Sequence, residues 1–72
     1  MSPNLRKLDW LVEVLASFAR THGISRKQAY EFASESGALD FIIRHYEVEH
    51  QLSFEDVLDD IEAVSSRNGG VL

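Results

Sequence analysis

Gly37-Ala38-Leu39-Asp40-Phe41-Ile42-Ile43-Arg44-His45-Tyr46-Glu47-Val48-Glu49-His50 is the stretch on which the fold turns. Wound as an α-helix, Leu39, Ile42, Ile43 and Tyr46 make one broad apolar stripe, and Ala38, Phe41 and Val48 widen it. Asp40, Arg44 and Glu47 form a compact charged strip at i, i+4 and i+7, spacings that let Arg44 pair with either acid. A helix with so narrow a wet face belongs inside a bundle, touched by several neighbours. The spacing therefore predicts a central helix over residues 38–50.

Upstream, Leu8, Leu11, Val12, Leu15, Phe18 and Ala19 recur with helical period, and Arg6, Asp9, Glu13 and Arg20 take the opposite face. This predicts a helix over residues 5–21, capped by Asn4 after a frayed start at Met1. Trp10 and Val14 fall on its flank, where they either cover the edge of the core or make an exposed contact patch for self-association. Gly23 suits the left-handed position after the last turn, and His22 beside it suits a donor or cation at the helix C-terminus. Ser25 with Gln28 reads as a capping box opening a second helix over 25–36, with Ala29, Phe32 and Ala33 inward and Tyr30 near the edge. Downstream, Ser53 with Asp56 caps a fourth helix over 53–67, whose apolar stripe is Phe54, Val57, Leu58, Ile61 and Val64. Asn68-Gly69-Gly70 stops it, and Val71-Leu72 form a short apolar tail.

The expected fold is all-α: a compact single-domain bundle of four helices over residues 1–72, with flexible ends at 1–4 and 69–72. Seventy-two residues bury little surface, and with no cysteine there is neither a disulfide nor a thiolate metal site to supplement the core. No apolar run approaches a membrane span, and no signal-peptide core is visible at the N-terminus, so a soluble cytoplasmic protein is expected. The formal net charge of −5 is uneven: residues 1–36 hold five basic and four acidic side chains, residues 37–72 two basic and eight acidic. The acidic half should repel nucleic acid and attract a basic protein surface.

Few patterns point to chemistry. His45 with Glu49, and Glu47 with His50, have helical metal-pair spacing, but the two histidines, five apart, diverge and no third ligand lies nearby, so no metal or cofactor is expected. There is no glycine-rich phosphate loop, and Ser25, Ser53 and Ser65 read as caps and surface, so no catalysis is expected. Gly23-Ile24-Ser25 and Ser36-Gly37-Ala38, each before a helix, permit a helix-turn-helix DNA binder using Arg26, Lys27 and Arg44. Against it, the candidate recognition helix carries Asp40, Glu47 and Glu49 with Arg44 as its one cation.

Ser36 to His50, continued by Leu52 to Ile61, resembles a small bacterial family, the domain-of-unknown-function family 3791. Asp40-Phe41, the Tyr46…His50 pair and Asp59-Asp60-Ile61 carry the resemblance most specifically. It extends over about residues 8–70 and takes in the ending Arg67-Asn68-Gly69-Gly70. Members of that family are often encoded beside a toxin resembling ADP-ribosyltransferases. The resemblance thus implies an antitoxin or accessory partner, a non-catalytic protein–protein interaction domain acting by occlusion through an acidic helical face. The residues expected to meet a partner are Tyr46, His50, Glu55, Asp59, Asp60 and Glu62, and those expected at a homodimer face are Trp10 and Val14.

Overall fold

The computed structural model describes residues 3–70, with side chains from Arg6 onward. Five helices follow one another: α1 (Pro3–His22), α2 (Arg26–Glu35), α3 (Ala38–Arg44), α4 (Tyr46–Glu49) and α5 (Phe54–Arg67). The all-α expectation holds, and no strand occurs among the described residues. The α1 and α3 helices each pack against both α2 and α5, and α4 follows on from the end of α3. The longest dimension, 35 Å, exceeds the axial length of α1, about 30 Å, only slightly, so the other helices are gathered along it.

The caps act locally, as their spacing requires. Ser25 Oγ accepts from Gln28 N–H at 3.0 Å, and Gln28 Oε1 accepts from Ser25 N–H at 2.9 Å, closing the capping box. Ser53 Oγ accepts from Asp56 N–H at 3.1 Å. The end of α1 closes when Ile24 N–H reaches back to Ala19 O at 3.0 Å. Gly37 joins α2 to α3 at φ 81°, a left-handed backbone that any side chain would strain. Asn4 does not cap: α1 begins at Pro3, a residue whose missing N–H and fixed φ suit a first helical turn. Met1, Ser2 and the Val71-Leu72 tail lie outside the described residues.

The expected helix over 38–50 is broken at His45, where φ is −103° and ψ is 25°. Periodicity could not register this break. His45 N–H still bonds Phe41 O at 3.1 Å and Glu49 N–H bonds His45 O at 2.8 Å, so the ladder and the side-chain phase pass through it.

The core is built from Val14, Phe18 and Ala19 of α1, Ala29 and Ala33 of α2, Ala38 and Ile42 of α3, and Val57, Ile61 and Val64 of α5. Three alanines in α2 and α3 keep those helices close to their neighbours, and Phe18 stacks on Phe32 at 5.7 Å. The phase of α1 differs from the expectation: Leu8 and Val12 are 55% and 45% exposed, while Val14 is completely buried. The apolar arc of α1 is wider than one contact face, and the row that goes inward is Trp10–Val14–Phe18, which removes the larger aromatic area from water. Val14 is thereby withdrawn from any surface patch.

A small polar seam ties α2 to the end of α5. The buried hydroxyls of Ser36 and Ser65 lie 3.0 Å apart, Asn68 Nδ2 donates to Ser36 O at 2.7 Å, and Gly70 N–H donates to Ser65 O at 2.7 Å. A Cβ on Gly70 would stand 3.0 Å from Ser36 Cβ and 3.1 Å from Ser65 O, so only glycine allows the turn to sit this close. Gly69 and Gly70, expected to be loose, are thus hydrogen-bonded to α5.

Candidate interaction surface

Capping by Ser53 sets Phe54 and Glu55 in the first turn of α5, beside the C-terminal half of α1. Between the two helices runs a groove of about 490 Å³, lined from α1 by Ser17, Arg20 and Thr21 and from α5 by Phe54, Glu55, Leu58, Asp59 and Glu62. Phe54 was expected inward but is 43% exposed, because the first turn of α5 overshoots the core that Val57 and Ile61 fill. With half-buried Leu58 it gives the groove an apolar floor. Glu55, Asp59 and Glu62 recur at i, i+4 and i+7, so their carboxylates form one edge of it. Glu62 Oε1 lies 2.9 Å from His22 Nε2, and Arg20 Nη2 donates to Ser17 Oγ at 3.2 Å. Arg20 and Ser17 are thus joined to each other across one turn of α1. The three acids leave the groove predominantly negative and suited to a cationic, apolar-tipped surface.

Asp60 does not share that edge. Its carboxyl acts instead on that of Glu49 in α4. Glu49 is only 3% exposed, and its Oε1 has no hydrogen-bond partner. Burial, the hydrogen bond to Asp60 and the charge of Asp60, in that order, push the Glu49 carboxyl up from its ordinary 4.5 to about 7. Sequence reasoning weighed Glu49 as a metal-pair partner of His45 and did not place it in the interior. Its position seven residues beyond Ile42, two turns along the same helical row, was the available signal.

Tyr46 and His50 form a third cluster. Their rings stack at 4.5 Å with 14° between planes, and His50 Nδ1–H donates to Tyr46 O at 2.8 Å. Trp10 of α1 meets Tyr46 edge-to-face at 5.3 Å, and Lys7 Nζ lies 5.3 Å from the centre of the same ring. Trp10 is therefore occupied within the chain, and the apolar row α1 leaves open is Leu8 and Val12. Trp10 and Arg20 are about 15 Å apart along α1, so the aromatic cluster and the acidic groove face different parts of the surface.

The expected contact residues are thus distributed over three places: Glu55, Asp59 and Glu62 in the groove, Asp60 in a carboxyl pair, and Tyr46 and His50 in an aromatic stack. Phe54, Leu58, Ser17 and Arg20 were not foreseen as groove residues. Among the described residues no three histidine, aspartate or glutamate side chains converge as a metal site would require. The His45 ring lies tilted against Phe41, with centroids 4.5 Å apart. No helix among the described residues is long and apolar enough to cross a membrane.

A family model described as "Protein of unknown function (DUF3791)" matches residues 9–66, which takes in the groove, the carboxyl pair and all of the aromatic cluster but Lys7. No curated protein and no solved structure matches the chain.

Proposed function

Because the chain belongs to the DUF3791 family, whose description assigns no activity, its role has to be read from its own surface, and we propose that it is a non-catalytic protein–protein interaction domain of the cytoplasm. The observation that carries this reading is the α1–α5 groove, where exposed Phe54 and half-buried Leu58 lie beside Glu55, Asp59 and Glu62. An apolar floor supplies affinity and an anionic edge supplies orientation and rate of encounter with a basic partner. The partner is a protein presenting an apolar side chain between lysines or arginines. The family resemblance suggests an ADP-ribosyltransferase-like toxin, with this chain as its antitoxin or accessory subunit, covering a basic cleft.

The DNA-binding reading has less support. The α3 helix is seven residues long, and Arg44 Nε is paired with Asp40 Oδ2 at 3.0 Å. Self-association draws support from the exposed Leu8–Val12 row, not from Trp10 and Val14.

The test is binding of an ADP-ribosyltransferase-like protein by calorimetry. Phe54→Ala and the pair Glu55→Lys/Asp59→Lys are expected to weaken binding by about tenfold to a hundredfold each, with helicity retained. The charge pair should also reduce the salt dependence of association. Unchanged affinity in both variants sinks the groove as the interface. Concentration-dependent light scattering that is lost in Val12→Glu would transfer the role to a homodimer face on α1.

A further inference from the structure

Asn68-Gly69 closes the polar seam at the end of α5, and this dipeptide is reactive in water. Glycine has no side chain to shield its own amide nitrogen, so that nitrogen can reach the side chain of a preceding asparagine. Asn4, the other asparagine of the chain, is followed by bulky Leu5.

The fold holds the two reacting atoms of Asn68-Gly69 apart. Attack on Asn68 Cγ needs Gly69 N in line with Asn68 Cβ, which tetrahedral geometry at Cα places at ψ roughly −120°. The observed ψ is 11°, so Gly69 N points away from the side chain. Turning ψ that far carries Gly69 and Gly70 with it. It breaks the bond from Gly69 N–H to Ser66 O at 3.2 Å and the one from Gly70 N–H to Ser65 O at 2.7 Å. The Asn68 side chain must also release Ser36 O, which accepts from Nδ2 at 2.7 Å. The reacting geometry is therefore reached only when the end of α5 has come away from α2.

We propose that Asn68 is a deamidation site gated by this seam: it reacts only while the end of α5 is detached, and its product keeps that end from docking again. In the detached state Gly69 N gives its proton to a base in solvent and attacks Asn68 Cγ. The N–Cγ bond forms, the Cγ–Nδ2 bond breaks, and Nδ2 leaves as ammonia with a proton taken from water. Water then adds to the cyclic imide and returns a proton to the nitrogen. Opening at Cγ gives an aspartate, and opening at the backbone carbonyl gives an isoaspartyl link. Either product is a carboxylate where an amide donor stood. It only accepts hydrogen bonds, and it meets Ser36 O, another acceptor. Glu35 lines the same hollow of about 250 Å³, and the C-terminal end of α5 is the negative end of its dipole. The isoaspartyl link also lengthens the chain before Gly70, whose close seat on Ser36 and Ser65 has no room for the shift. Phe54 stands at the opposite end of α5, so the gate does not depend on what the groove docks.

Peptide mapping by mass spectrometry tests it, on the intact protein at neutral pH and on the same protein in urea. Conversion of Asn68, with aspartyl and isoaspartyl products resolved, should be at least about tenfold slower in the folded protein. Gly70→Ala should bring the folded rate toward the rate in urea and leave the rate in urea unchanged. Asn68→Asp installs the aspartyl product directly and should raise the unfolding equilibrium constant about tenfold, read from urea midpoints. Equal rates in folded and unfolded wild type, no conversion in urea, a folded rate that Gly70→Ala leaves unmoved, or an Asn68→Asp protein as stable as wild type would each overturn the gated site.

Discussion

Phe18→Ala is expected to cost about 3–5 kcal/mol and to leave the domain largely unfolded on mild warming. Phe18 is wholly buried, and its ring lies against Phe32 at 5.7 Å and His22 at 4.3 Å. The core cluster it belongs to includes Ala19, Ala29 and Ala38, small side chains that cannot lean in to fill a vacated ring. A chain of this length typically has about 4–11 kcal/mol of stability in total, so one such cavity removes much of it. Urea unfolding followed by circular dichroism measures the loss. A change below about 1 kcal/mol would mean that the core is organised around another residue.

Acid should stabilise this protein, contrary to the usual behaviour of carboxylates. The Glu49 carboxyl is held near 7 in the fold and returns to about 4.5 in the unfolded chain. The folded state therefore binds the extra proton, and stability is fully present below about 4.5 and is lost as pH rises to about 7. The full shift corresponds to at most about 3 kcal/mol. Urea midpoints compared between about pH 5 and about pH 8 should fall at the higher pH in the wild type and much less in Glu49→Gln. A wild-type midpoint that rises with pH would show that the pair is not buried as described.

The parts of the fold legible in the sequence are those set by short-range geometry. Ser25 with Gln28, Ser53 with Asp56 and Gly37 act within three or four residues, so their spacing alone identified the helix starts and the turn. What was not legible depends on which of two adjacent apolar rows meets a neighbour. Leu8 and Val12 look more inward than Val14, which periodicity leaves on the flank, until the neighbouring helices are in place. Phe54 belongs to the apolar stripe of α5, yet the stripe is longer than the core it serves. Asp59 and Asp60 are adjacent in sequence but lie about 100° apart around the helix, so one reaches the groove and the other reaches Glu49. The acidic composition showed that a negative surface exists. It could not show that one of its members is turned inward.

The seam at the end of α5 also governs how long the native state lasts. Its Ser36–Ser65 and Asn68–Ser36 bonds join residues 29 and 32 apart, whereas the helix caps close over three. Contacts that enclose so much chain form only after the helices they join have collapsed together, and they are the first to part. Loosening the seam, as Gly70→Ala does by pressing on Ser36 and Ser65, should steepen escape from the folded basin while leaving the rate of reaching it nearly unchanged. In a chevron plot only the unfolding limb should rise. The glycine-tied end of α5 is in this sense a kinetic clasp, setting the lifetime of a domain whose helices assemble without it.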